Sequence, residues 1–404
     1  MKTLRPTLLA AVLLALALLP GGLHAQDVGT ASLADLRTAA EAGDIAAQLT
    51  LAARYHDGAG VIQNFAQAAA WYARAAEAND AEAQNRLGQY YHVGLGVPAD
   101  RAAALRWLSA AAEQGAPQHL FDLAAVLEMD TDNPAALARA AALYERAAEA
   151  GHTNAAVSLG VMVQNGTGVA QDYARAKALY EGPAAAGNAR AQNNLGLLYV
   201  RGTGVPQDYD RAAALLAAAA EQGLATALTN LGVMYENGFG VPQDDARAAA
   251  LYRQGGAGTQ AAQAGAGFVY DPRLAPPPSD QDGIATLRAD AQTGDPVAEF
   301  QLGWMLVHLE GPSPADWRAA ATLFNAAANK GHAAAMANLG LLYMQGRGLP
   351  QDYVLAQMWL ALAGSGGLKA ALPLSAALQA RMTPDQINES QALAETLWRG
   401  GKQP

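Results

Sequence analysis

Apolar residues in this chain recur at two nested intervals. Over short stretches they fall on one face of an α-helix: Ala191, Leu195, Gly196 and Tyr199 make one such stripe, and Ala212, Leu215, Leu216 and Ala219 make a second. Between them, residues 202–208 read Gly-Thr-Gly-Val-Pro-Gln-Asp. The glycines admit positive φ, the proline blocks continuation of a helix, and Asp208 is suited to cap the next one. Two helices joined by a tight turn are predicted, ending at Gly223.

The longer interval is 36 residues. Gly43, Gly115, Gly151, Gly187 and Gly223 fall on it, with Asn79 at the intermediate step. Glycine and asparagine are the residues that close helices in a left-handed conformation, so the period counts helix ends. Leu87, Gly88 and Tyr91 repeat the first stripe, as do Leu159 and Gly160; Leu231, Gly232 and Tyr235; and Leu339, Gly340 and Tyr343. Complete units are assigned to residues 44–79, 80–115, 116–151, 152–187, 188–223, 224–258, 295–331 and 332–367. An all-α chain of tandem helix-turn-helix repeats follows.

One unit, residues 259–294, is degenerate. A first helix carrying Ala262, Gly267 and Tyr270 is predicted one residue out of register, followed by Pro272, Pro276, Pro277 and Pro278 in place of the glycine turn. Three consecutive prolines favour an extended segment. A second helix with Ser279 as its cap and Ile284 and Leu287 in its core is expected. The register returns near Asp316, three periods beyond Asp208. Residues 26–43 contribute a capping helix at one end and residues 368–404 two closing helices at the other, as an array with apolar outer faces requires.

The phrase Ala-x-Ala-Gln-x-x-Leu-Gly-x-x-Tyr-x-x-Gly-x-Gly-Val-Pro-Gln-Asp-Tyr, carried with small departures by residues 189–209, resembles the Sel-one-like repeat, a relative of the tetratricopeptide repeat. The likeness runs through nearly all of the chain after residue 25. It departs at residues 128–134, where Glu-Met-Asp-Thr-Asp-Asn-Pro replaces the glycine turn, and at the degenerate unit. The resemblance implies a right-handed α-solenoid used as an adaptor or assembly scaffold, in bacterial envelopes among other places, with its first helices lining the concave surface.

Residues 1–25 read as an export signal: Lys2 and Arg5 precede an apolar run at residues 8–19, and Leu23-His24-Ala25 offers a cleavage site. Twelve apolar residues are short for a membrane span, and no later stretch is longer. A periplasmic or secreted protein beginning at Gln26 is expected, without stable membrane insertion. There is no cysteine, hence no disulfide and no lipid-modified cysteine. Loss of Lys2 and Arg5 takes the net charge from −10 to −12, unfavourable for nucleic acid.

The composition offers little chemistry. Ser-x-x-Lys, the signature of the penicillin-binding or hydrolysing activity associated with some cysteine-rich relatives of the repeat, is absent, as are Gly-x-Ser-x-Gly, the phosphate-binding glycine loop and His-Glu-x-x-His. No catalytic residue, metal or cofactor is assigned. His56, His92, His152 and His332 are read as surface or capping residues, and Trp71, Trp107 and Trp359 as core. A protein or peptide partner is expected. The competing readings are an envelope hydrolase with an unrecognised site and a structural spacer.

If Leu195 is the buried leucine of its unit, Arg190, Asn193, Leu197, Val200 and Arg201 face a ligand, and other units place mostly polar residues at these offsets. Residues 295–331 break the pattern with Val297, Phe300, Trp304, Val307 and His308. An aromatic cluster there is a candidate anchor, tryptophan being enriched at binding hot spots. The alternative is that the degenerate unit packs differently and covers these side chains.

Overall fold

The computed structural model describes residues 32–261 and 267–399, which divide into two compact units. The export signal assigned to residues 1–25 lies outside the described residues. Among the described residues all regular structure is helical.

The chain begins with α1 (Leu33–Glu41), α2 (Ile45–Asp57), α3 (Phe65–Glu77) and α4 (Ala81–Val93). It continues through α5 (Arg101–Glu113), α6 (Pro117–Glu128), α7 (Pro134–Glu149), α8 (Thr153–Asn165) and α9 (Tyr173–Ala185). Next come α10 (Ala189–Arg201), α11 (Tyr209–Glu221), α12 (Ala225–Asn237) and α13 (Asp245–Ala261). The last part holds α14 (Gln281–Thr293), α15 (Pro296–Val307), α16 (Pro314–Asn329) and α17 (Ala333–Gln345). It closes with α18 (Tyr353–Ser365), α19 (Ala371–Gln379) and α20 (Pro384–Arg399). Residues 102–261 form a continuous unit; residues 32–101 and 267–399 together form a discontinuous one.

Each repeat is held by the close approach of its two helices. A Cβ at Gly160 or Gly232 would overlap the ring of Tyr180 or Tyr252 on the second helix of the same repeat. Glycine in the buried stripe is therefore a packing requirement, although it weakens an isolated helix. The ring's polar end is served locally: the Tyr180 hydroxyl donates to Gln164 Oε1 at 3.1 Å, and those of Tyr144 and Tyr252 donate to Glu128 at 2.8 Å and Glu236 at 2.7 Å. In the continuous unit Leu123, Tyr144, Leu159, Tyr180, Leu195, Leu216 and Leu231 belong to one core.

The turn holds repeat to repeat. At the second glycine of the Gly-x-Gly pair, φ is positive, and a Cβ on Gly240 would strike the main chain of Tyr209 at the start of the preceding repeat's second helix. Its glutamine folds back on the first helix, Gln207 Nε2 donating to the Val200 carbonyl at 2.9 Å and Gln243 to Glu236 at 3.0 Å. Asp208 caps α11, accepting from Arg211 N at 2.9 Å. Asn79, with φ of 68°, is the non-glycine residue in the left-handed region among the described residues.

The glutamine of Ala-x-Ala-Gln is also structural. Gln48, Gln84 and Gln192 are buried, and their amides donate to the carbonyls of Ala40, Ala76 and Ala184 near the end of the preceding helix, at 3.0, 3.4 and 3.2 Å. Such carbonyls have no partner inside their own helix.

Two local expectations are corrected. Residues 267–270 are extended rather than helical. Asp280, not Ser279, caps α14, accepting from Gly283 N at 2.8 Å. The helix after α15 is capped by Ser313, and Asp316 answers as the third helical residue of a capping box. Trp71 and Trp359 are buried, and Trp107 is half-buried.

In the discontinuous unit the two ends of the chain meet. One face of α20 presents Asn388, Gln391 and Glu395 to the turns of the first two repeats. Asn388 accepts from Gly96 N at 2.8 Å and donates to the Gly94 carbonyl at 3.0 Å. Gln391 accepts from Phe65 N at 2.8 Å, and Asn64 Nδ2 donates to Glu395 at 2.6 Å. The C-terminal helices thus cover the first repeats as well as the last.

Leu195→Ala is expected to cost about 2–5 kcal/mol, the range for emptying a buried leucine site. Arg190→Ala, on the exposed face of the same helix, should change stability by less than about 0.5 kcal/mol. Denaturant titrations followed by circular dichroism distinguish the two; equal effects would reject the assigned core face.

Candidate functional site

The aromatic cluster exists, and the chain itself fills it. Residues 267–280, hereafter the strap, cross the first helices α15 and α17. Tyr270 lies 5.4 Å from Phe300 and 4.9 Å from Trp304 between ring centroids. Phe268 reaches Trp317 at 5.8 Å and His308 at 6.3 Å. Phe300 and Val307 are buried, Val297 and Trp304 are half-buried, and His308 is exposed. Phe300 and Val307 therefore offer no surface to a partner, which corrects their assignment as anchors. The Phe300 ring stacks on His332 at 4.4 Å, as Phe121 stacks on His152 at 4.6 Å. Both histidines cap a helix, accepting from Ala335 N and Ala155 N.

Two carboxamides fix the strap's main chain. Asn338 on α17 accepts from Val269 N at 2.7 Å and donates to Val269 O at 3.0 Å. Gln301 on α15 donates to the Ala275 carbonyl at 2.9 Å and to the Tyr270 hydroxyl at 2.8 Å. With no helix here, side chains satisfy these backbone groups. Asp271 is buried beside them; Arg273 donates to it through Nε at 2.9 Å and Nη2 at 2.8 Å, and His332 Nε2 lies 3.9 Å away. These hydrogen bonds from Arg273 hold the Asp271 carboxyl below its ordinary pKa against the opposing effect of burial. Burial pushes His332 below the usual histidine value, and the nearby Asp271 only partly offsets it.

The remaining candidates lie on α10. Arg190 and Arg201 are exposed, whereas Asn193 is buried and accepts from Asn230 Nδ2 of α12 at 2.8 Å. Asn85, Val157 and Ala337 share the repeat position of Asn193 and are buried, whereas Thr229 there is exposed and Phe121 is half-buried. Asn193 itself joins neighbouring first helices through its bond to Asn230. Among the described residues no group of three His, Cys, Asp or Glu could hold a metal ion. None of the described helices is long and apolar enough to cross a membrane.

The Sel1 repeat matches residues 45–80, 81–115, 134–152, 153–182, 189–224, 225–258, 296–332 and 333–368. The chain belongs to the Sel1 repeat family. Sel1 repeat proteins are generally protein-interaction scaffolds, and the family is generally non-enzymatic. A protective antigen of uropathogenic Escherichia coli strains with an SLR fold is 28% identical over 90% of this chain and 86% of its own, with a TM-score of 0.49. A Sel1 repeat protein from Oxalobacter formigenes is 30% identical over 53% of this chain and 85% of its own, also with a TM-score of 0.49. No curated protein matches the chain.

The residues missed in the sequence are Asn338 and Gln301. Asn194 and Asn230 stand at the same repeat position, and that recurrence of carboxamides was the available signal.

The shifts predict a pH dependence. A histidine whose pKa is lower in the fold than in the unfolded chain contributes stability that is complete above about 6.5 and is lost as the pH falls toward its folded value. His92 and His152 are shifted downward with His332, burial being the largest cause in each. Thermal unfolding should occur at lower temperature at pH 5.5 than at pH 7.5, and His332→Asn, which keeps a capping acceptor, should reduce the difference. An unchanged difference in the variant would contradict the assignment.

Proposed function

We propose that this Sel1 repeat protein is an exported scaffold that holds a protein or peptide on the surface formed by its first helices. The strap carries this reading: α15 and α17 receive a non-helical segment through aromatic contacts and main-chain hydrogen bonds. A surface that accommodates such a segment in cis has the chemistry to accommodate one in trans. The exposed candidates for partner contact are Arg190, Arg201 and His308, with half-buried Trp304 and Val297 at the margin of the strap. Export is proposed on Lys2, Arg5, the apolar run at residues 8–19 and cleavage after Ala25.

Photo-crosslinking amino acids placed singly at positions 190, 201 and 308 should capture partner protein in an extract of the exported fraction. The same probe at exposed second-helix positions 214 and 250 should not. Crosslinks confined to the second helices would reject the first-helix surface. Mass spectrometry of the exported protein should give a chain beginning at Gln26; a chain retaining Met1 would reject export by cleavage.

A further inference from the structure

The strap serves as an internal template for a second, uncovered site. Asn338 and Gln301 occupy equivalent positions on successive first helices, allowing for the one-residue difference in spacing between their repeats. In the continuous unit that position is taken by Asn194 on α10 and Asn230 on α12, both half-buried. Asn230 donates to Asn193 Oδ1 at 2.8 Å, and Asn193 donates to Asn194 Oδ1 at 3.2 Å. This short ladder orients the two outer carboxamides. Asn194 also hydrogen-bonds the Tyr180 hydroxyl; each carboxamide offers two N–H donors and two acceptor lone pairs, so these bonds do not exhaust them.

The apolar neighbours differ in cover. Leu341, three residues beyond Asn338, is fully buried, whereas its counterpart Val233, three residues beyond Asn230, is 41% exposed. Val233 is among the large hydrophobic residues exposed on the described surface. Leu197, three residues beyond Asn194, is half-buried. The continuous unit therefore repeats the carboxamide positions that hold the strap, with the apolar residues that follow them less covered.

We propose that α10 and α12 bind an extended peptide segment by its main chain. Asn230 pairs with both the N–H and the C=O of one residue, and Asn194 donates to a carbonyl further along. Leu197 and Val233 receive its apolar side chains. Charge narrows the partner: Arg190 and Arg201 are exposed on α10, while Glu236 on α12 accepts from the Tyr252 hydroxyl at 2.7 Å. The strap's own sequence, Phe268-Val269-Tyr270-Asp271, likewise places an acid after bulky apolar residues, and there Arg273 supplies the positive partner that the arginines of α10 would supply in the second site. This inference rests on the scaffold reading and assigns it a binding mode and a ligand class.

The test uses a fluorescently labelled synthetic peptide with the sequence of residues 267–277, titrated against the protein from Gln26 onward and followed by anisotropy. Saturable binding is expected. Asn194→Ala combined with Asn230→Ala should weaken it at least tenfold, and Val233→Lys, a change at an exposed position, should do so with helix content unchanged. A peptide carrying lysine at the Asp271 position should bind at least fivefold more weakly. Absence of saturable binding, or binding lost in Asn338→Ala but retained in the Asn194 and Asn230 variant, would overturn the proposal. Persistence of the partner crosslinks in that double variant would also reject this site while leaving the scaffold reading intact.

Discussion

A two-helix repeat cannot bury its apolar face alone, and the rest of this structure depends on that constraint. Small residues answer it by letting helices come close: Gly160 and Gly232 admit Tyr180 and Tyr252, and Gly240 admits the main chain of the preceding repeat. Close approach in turn strands polar groups between helices. Buried Gln48, Gln84 and Gln192 serve the helix-end carbonyls, and the turn glutamines tie each loop to its first helix. The recurring letters of the repeat record both halves of the solution, the space and the hydrogen bonds that make it tolerable.

The same constraint governs the ends. Exposed apolar faces on terminal repeats must be covered, and in the discontinuous unit α20 meets the need through a polar stripe that satisfies the turns of the first two repeats. These contacts join residues between 292 and 331 positions apart in the chain. They are therefore slow to find during folding, because loop closure over that length costs entropy before contacts repay it.

What the sequence disclosed and what it hid separate along physical lines. Helix stripes and capping aspartates are local, so Asp208 is readable from its neighbours, and the left-handed helix ends at Gly43 and Asn79 are readable from the 36-residue period. The burial of Asn193 was not, because it depends on Asn230 of the next repeat. Nor was the burial of Phe300, which depends on His332 below it and Tyr270 of the strap. The aromatic break in the pattern is visible in the sequence, but an aromatic facing outward from a helix looks the same there whether a partner or the chain's own segment covers it. Proline at positions 276–278 indicated an extended segment without indicating where it would lie.

The strap shows why that segment lies where it does. Its four prolines cannot donate main-chain hydrogen bonds; Arg273 and Leu274 turn back on Asp271, while Val269, in the non-helical part, needs partners from outside the strap. An unpartnered buried backbone group costs about 1–3 kcal/mol, so such a segment settles only where side chains supply what a helix would have supplied. Asn338 satisfies both groups of Val269, and Gln301 satisfies the carbonyl of Ala275. Phe268 and Tyr270 meanwhile place apolar rings against α15 and α16, against Phe300 and Phe324. The first-helix surface is thus selective for main chain in a particular conformation before it is selective for sequence. Under the scaffold reading proposed above, partners would be distinguished first by whether they can present an extended segment there, and then by the charges and apolar residues around the carboxamides.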